Sequence, residues 1–256
     1  MLFSGTKLSD LSPTSVIIIL LGFLSLGGSI YYFIDLAAGV LQEEKFAIDQ
    51  QAFDFVRATS FDGLEPILKV VTQAGSVILI TVASLALAVY LLFFSKMSRW
   101  VGIYFIVSMG GISSLTALLK SQFGRERPEF LGEYHGATSS FPSGHAAGAF
   151  VFYFFIIYLV FISQLRTQWK WIINISLALI ALIIGMTRVY MGVHFFTDVA
   201  AGFLFALAWL LICIISLEVT LWHQRRRQEE GQMDYENKNQ LIKNVPVSSP
   251  DGKKLE

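Results

Sequence analysis

The sequence predicts an all-α membrane protein, a polytopic bundle of six transmembrane helices, and three observations carry that prediction. Hydrophobic residues make up 54% of the 256-residue chain and charged residues only 15%. Mean hydropathy is +0.60. A soluble domain carries about 25% charged residues, so this chain lacks the polar side chains to cover a water-facing surface. Finally, six stretches approach the roughly 20 apolar residues that a helix needs to cross about 30 Å of hydrocarbon. An ordinary soluble, disordered or collagen-like protein is excluded.

The stretches run from Ser15 to Ile34, Ser76 to Phe94, Trp100 to Leu119, Ala146 to Ile162, Trp171 to Met186 and Val199 to Trp222. The fourth and fifth are short, and their polar flanks supply the missing turns. The first is too long for a cleavable signal peptide and lacks a small-residue cleavage pattern after it. Asp35 then falls near the outer headgroups. Between the first and second spans, Gln42 to Gln73 is too polar to cross. Ile48, Ala52, Phe55 and Val56 recur there at helical spacing beside Asp49, Asp54 and Arg57, and Pro66 interrupts a second group of Leu64, Ile67, Leu68 and Val71. Two short amphipathic helices on the membrane surface are expected. The chain thus divides into a membrane-embedded domain, residues 1–222, and a polar tail, residues 223–256, expected to be disordered.

Lys and Arg placement sets the orientation. Lys7, Lys96, Arg99, Arg166, Lys170 and the run Arg225, Arg226 and Arg227 all fall on one side of a six-span chain. That side is expected to be cytoplasmic, with both termini, in a multi-pass protein of the cell membrane. The spans are almost free of charges between their ends, which counts against a transporter or channel. Net charge is zero, with no long basic block, so nucleic acid is not an expected partner. The single cysteine, Cys213, sits in an apolar run and reads as a buried thiol. No cofactor is implied, no metal-ligand spacing stands out, and the oligomeric state is not legible.

Two loops on the opposite, outer face hold the remaining basic residues. The first runs from Lys120 through Arg125 to Arg127-Pro128 and closes on Phe141-Pro142-Ser143-Gly144-His145; the second runs from Thr187-Arg188 to His194 and Asp198. Lys120, Arg127 and Arg188 can surround a phosphate, the arginines through forked hydrogen bonds. Ser143 and Gly144 open the fourth span, where backbone N–H groups point at an anion. His194 and Asp198 are four apart and share a helix face, so the carboxylate can orient the imidazole as nucleophile or base. His145 can protonate a leaving oxygen. Each element also has a structural reading. Lys120 and Arg127 can anchor the headgroup boundary, Pro-Ser-Gly-His is an ordinary helix start, and His194 with Asp198 can be a helix cap. His135 reads as solvated and His223 as an interface residue. Glu129 and Glu133 lie close enough to influence a substrate.

Together, Lys-x6-Arg-Pro, Pro-Ser-Gly-His and Arg-x5-His-x3-Asp resemble the three-part signature of the type-2 phosphatidic acid phosphatase family. Ten fixed positions, each met by chance about once in twenty, do not coincide by accident. The resemblance covers roughly Leu64 to Trp222. Thr187 departs from it, standing where the family more often has Ser, and keeps a hydroxyl. The resemblance implies a six-helix enzyme that removes phosphate from membrane lipid phosphates or diphosphates without metal. It makes His194 the nucleophile, Asp198 its orienting partner and His145 the general acid, with Lys120, Arg127, Ser143, Gly144 and Arg188 binding the phosphoryl group. A lipid phosphotransferase using the same phosphohistidine is the alternative, and a non-enzymatic transporter the remote one. Because the loop from Arg127 to Pro142 leaves little protein for a headgroup pocket, a polyprenyl diphosphate is the first expected substrate. Phosphatidylglycerophosphate and phosphatidic acid follow.

Overall fold

The computed structural model describes residues 13–59, 61, 63–128 and 139–243. His135, Glu129 and Glu133 lie outside the described residues. In chain order the helices are α1 (Pro13–Leu41), α2 (Ala47–Ala58), α3 (Leu64–Gln73), α4 (Val77–Val89, continued by a π-helical turn over Tyr90–Phe94), α5 (Arg99–Gln122), α6 (Gly144–Ile162), α7 (Thr167–Tyr190) and α8 (Phe196–Lys243). Six of them are long and apolar enough to cross a membrane, in the order the sequence predicts: α1, α4 with its π turn, α5, α6, α7 and α8. The chain is a multi-pass membrane protein.

This bundle differs from a soluble one in having an apolar outer surface as well as an apolar core. Leu24, Ile78, Phe93 and Trp171 are all at least 65% exposed, on outward helix faces suited to lipid. Inside, Leu91, Phe105, Ile112, Phe155 and Leu217 fill a core shared by α4, α5, α6 and α8. Cys213 is buried, as its apolar run predicts. Serines start three of the spans: Ser76, Ser98 and Ser143 each accept a backbone N–H from the first turn of α4, α5 and α6.

The two amphipathic helices are present, with one rotated. In α2 the buried residues are Asp49 and Phe53, whereas Ile48 and Phe55 are 47% and 67% exposed. The helix turns its acid inward because polar partners await Asp49 there, and it offers Ile48 and Phe55 to the bilayer interface. Pro66 does not interrupt α3. It lies in the first turn, where its missing N–H would have had no intrahelical acceptor.

A further expectation is corrected. The tail expected to be disordered from residue 223 instead continues α8 to Lys243. Arg, Gln, Glu and Met favour a helix, and the i,i+4 pairs Arg226–Glu230 and Gln232–Glu236 support it. At 48 residues α8 is about 72 Å long, more than twice the hydrocarbon thickness. The sixth span carries one acid within its length, in keeping with spans almost free of charge. Glu218 is 5% exposed and accepts a 2.8 Å hydrogen bond from Tyr158 Oη of α6.

Candidate active site

The beginnings of α6 and α8 and the end of α7 meet at one end of the bundle. The chain leaves α7 through a Schellman turn: Gly192 N–H bonds to Val189 O at 2.9 Å and Val193 N–H to Arg188 O at 3.1 Å. Gly192 has φ +61°, a left-handed conformation that costs other residues about 1–2 kcal/mol. The turn delivers His194, 4% exposed, to the start of α8. Asp198, fully buried, stands one turn on. Its Oδ2 accepts the Phe195 N–H at 3.0 Å and faces His194 Nδ1 at 3.4 Å. Asp198 therefore caps α8 and orients the imidazole at once. The helix-cap reading of this pair holds, and the same carboxylate faces the imidazole as the chemical reading requires.

A proton on Nδ1 facing the carboxylate leaves Nε2 with its lone pair for a substrate. Burial holds the His194 pKa below its ordinary value of about 6.5. The hydrogen bond and charge of Asp198 oppose that shift, and the charges of Lys120 and Arg127 add to it. The neutral, nucleophilic form is thus favoured near neutrality.

The start of α6 is fixed against α8. Ser143 N–H donates to Asp198 O at 2.9 Å, so this amide is not available to an anion as its position suggests. Ser143 Oγ caps Ala146 N–H at 3.5 Å. The amides of Gly144 and His145, the first two residues of α6, have no i−4 carbonyl within their helix. A Cβ on Gly202 would stand 2.8 Å from Ser143 O, so only glycine lets α8 pass this close. Phe141, fully buried, anchors the preceding turn between the rings of Phe33 and Phe123.

The predicted cations gather around this junction. Lys120, on the last turn of α5, donates to Ser139 O at 2.5 Å; Arg127 donates to Val193 O at 3.0 Å; and Arg188, 8% exposed, donates to Thr72 Oγ1 of α3 at 3.3 Å. His145, half-buried, lies within the field of Arg188, His194, Arg127 and Lys120. All eight residues predicted from the motifs therefore belong to one locality. Positive charge, two helix-start amides without an intrahelical acceptor and an oriented imidazole suit a phosphoryl group.

The motifs do not name Arg125, Asp49 and Thr197. Arg125 Nη1 donates to Asp198 Oδ1 at 2.6 Å and to Thr197 Oγ1 at 2.8 Å, while its Nη2 donates to Asp49 Oδ2 at 2.8 Å. Asp49 also takes the Thr197 N–H at 2.8 Å and its hydroxyl at 2.9 Å. Arg125 was visible as one more outer basic residue. Nothing in the local sequence pairs it with an acid 76 residues earlier. A cavity of about 980 Å³ opens beside these groups, with Arg125, Arg127, Phe195, Glu43, Lys45 and Gln50 in its wall. Glu43, Glu44 and Lys45 in this wall come from the α1–α2 connection and not from the loop between Arg127 and Pro142.

The sequence profile of the PAP2 superfamily matches residues 101–222. Phosphatidylglycerophosphatase B of Bacillus subtilis (strain 168) is 36% identical over 109 residues, covering 41% of this chain and 52% of that protein. Lipid A 1-phosphatase of Rhizobium johnstonii is 32% identical over 157 residues, 56% of each chain. The chain spans about half the length of these curated relatives. The crystal structure of the transmembrane PAP2-type phosphatidylglycerolphosphate phosphatase of Bacillus subtilis superposes with a TM-score of 0.63 at 26% identity, over 76% of this chain and 96% of that one. The three motifs, from Lys120 to Asp198, lie inside the region, residues 101–222, over which the chain is similar to the PAP2 superfamily.

Proposed function

We propose that the protein is a metal-independent lipid phosphatase that works through a phosphohistidine. The observation that carries this reading is the buried His194, oriented through Nδ1 by Asp198 and kept neutral beside Lys120 and Arg127. In the first step His194 Nε2 attacks phosphorus, the bond to the leaving oxygen breaks, and that oxygen takes a proton from His145. In the second, water attacks the phosphohistidine, gives a proton to His145 and releases phosphate with neutral His194. Lys120, Arg127, Arg188 and the amides of Gly144 and His145 hold the phosphoryl oxygens, with Ser143 fixing the helix start. These groups stabilise the spreading transition-state charge, the part that magnesium plays in many other phosphoryl transfers.

An amphiphilic substrate follows from a site at the mouth of an apolar bundle. The cavity beside Arg127 supports a polar headgroup on the phosphate. Phosphatidylglycerophosphate, the class named for the Bacillus relatives, therefore stands ahead of a polyprenyl diphosphate, with phosphatidic acid also eligible. The site faces away from the cytoplasm in this reading, because Lys96, Arg99, Arg166, Lys170 and Arg225 to Arg227 all mark the other end. A cysteine at exposed Gln50 in a Cys213→Ser background should react with an impermeant thiol reagent on intact cells, and one at Leu165 should not. The reverse pattern inverts the topology. For the reaction itself, purified protein in detergent should release inorganic phosphate from phosphatidylglycerophosphate in water alone. Release only when an acceptor lipid is added makes it a phosphotransferase; release from none of the lipid phosphates and diphosphates tried rejects the enzyme reading.

A further inference from the structure

We infer that Arg125 is a positioning residue for the reaction and that, with Asp49, it ties the catalytic carboxylate to the surface helix α2. This rests on the phosphatase reading above. Among the described residues, Asp198 makes no hydrogen bond or ion pair with α2. Arg125 bridges them, with one nitrogen on Asp198 Oδ1 at 2.6 Å and the other on Asp49 Oδ2 at 2.8 Å. The bridge is buried: Asp198 is fully enclosed, Asp49 is 8% exposed and Arg125 14%. Its guanidinium lies over the Phe195 ring, 4.2 Å from the centroid, immediately beside His194. Thr197 closes the network, giving its N–H and hydroxyl to Asp49 while accepting from Arg125.

This geometry divides the two oxygens of Asp198. Oδ2 serves the backbone and the imidazole, while Oδ1 is held by Arg125. The carboxylate plane, and with it the direction of Nε2, is thereby fixed from two sides. A lysine supplies a single point charge and cannot span both acids in the same plane. The arrangement also explains why α2 turns Asp49 inward and its hydrophobic Ile48 and Phe55 outward. The helix that rests at the membrane surface is the far anchor of the site.

The test is steady-state phosphate release from phosphatidylglycerophosphate by the full chain in detergent, across pH, for Arg125→Gln, Arg125→Lys and Asp49→Asn. Arg125→Gln is expected to lower kcat about a hundredfold with KM little changed, since misplacement of about 1 Å costs that much. Arg125→Lys should recover only part of the loss. The acid limb of kcat/KM should shift in opposite directions. Removing the Arg125 cation leaves the Asp198 charge fully felt by His194, and the limb moves up. Removing the Asp49 charge leaves Arg125 to Asp198 alone, and the limb moves down. The remaining ionisable groups near His194, namely Lys120, Arg127, His145 and Arg188, are common to every variant and cancel in the comparison. His194→Ala is run alongside. If it retains turnover, or the wild type releases no phosphate, the phosphatase reading fails and the inference with it. If His194→Ala is inactive while Arg125→Gln and Asp49→Asn keep wild-type kcat and pH limb, only the inference fails. Should Arg125→Gln not fold, the isosteric Asp49→Asn decides: an unmoved limb overturns the inference.

Discussion

Buried polar groups occur at both ends of the bundle, organised in different ways. At the Arg225 end they form separate clasps. Tyr158 Oη bonds to Glu218 at 2.8 Å, Tyr104 and Thr220 share a bond of 3.0 Å, and Ser98 Oγ reaches Gln224 at 2.7 Å. Each clasp fastens α8 to one neighbouring helix. At the His194 end, one carboxylate gathers the Phe195 amide, Arg125 and His194, while its backbone oxygen takes the Ser143 amide. Residues from α2, α3, α5, α6, α7 and α8 all contribute. Clasps hold helices in register; convergence fixes the direction of one imidazole. Chemistry is expected only where the groups converge.

The comparison breaks most sharply through Asp198. Asp198→Asn should fold but present the wrong partner to Nδ1, lowering kcat by about 10⁴-fold, as loss of an orienting carboxylate does elsewhere. A loss of less than tenfold in steady-state assays would demote the pair to a helix cap. At the same end, Gly192→Ala should cost about 1–2 kcal/mol, because alanine resists the left-handed turn. It should also reduce kcat, since the turn delivers His194; thermal unfolding alongside activity measures both. At the far end, Tyr158→Phe should cost about 1 kcal/mol, the scale of interhelical hydrogen bonds in membranes, and leave kcat within about twofold. Comparable activity losses at both ends would erase the distinction drawn here.

Dependence on pH sharpens the same contrast. Burial lowers the His194 pKa, and neutral imidazole is the reactive form in the proposed mechanism. Activity should therefore persist below pH 6.5 and fall as pH drops through the lowered value. An acid limb centred clearly above 6.5, on a substrate whose phosphate does not titrate there, contradicts it. Chelation should have the smallest effect. Rates in EDTA should match those without it, because Lys120, Arg127 and Arg188 supply the fixed charge. Loss of activity restored by one divalent ion would overturn metal independence.

Much of this was legible in the sequence because it is written locally. Apolar runs set the six spans, and the three motifs place Lys120, Arg127, Ser143, Gly144, His145, Arg188, His194 and Asp198 at helix ends that the span count puts on one face. What escaped is non-local. The Asp49–Arg125 pair joins residues 76 apart, and periodicity alone assigned α2 its apolar face from Ile48 and Phe55 without weighing what an inward Asp49 would meet. Glu218 was hidden because hydropathy averages over a window, so a single acid in an apolar run leaves the span intact. The helical tail was missed because polarity was read as disorder, although Gln, Glu, Arg and Lys are good helix formers.

The central claim is that His194 carries the phosphoryl group, and a trapping experiment tests it directly. Purified protein mixed with ³²P-labelled phosphatidylglycerophosphate, labelled on the terminal phosphate, would be quenched during turnover and its chain-bound label measured. The account predicts label on the wild-type chain that is lost in acid and kept in alkali, as a phosphoramidate requires. It predicts no label on His194→Ala and greater accumulation on His145→Ala, if loss of the base slows hydrolysis more than loss of the acid slows formation. Turnover by the wild type with label also retained on His194→Ala, or bound in an acid-stable form, would contradict the assignment.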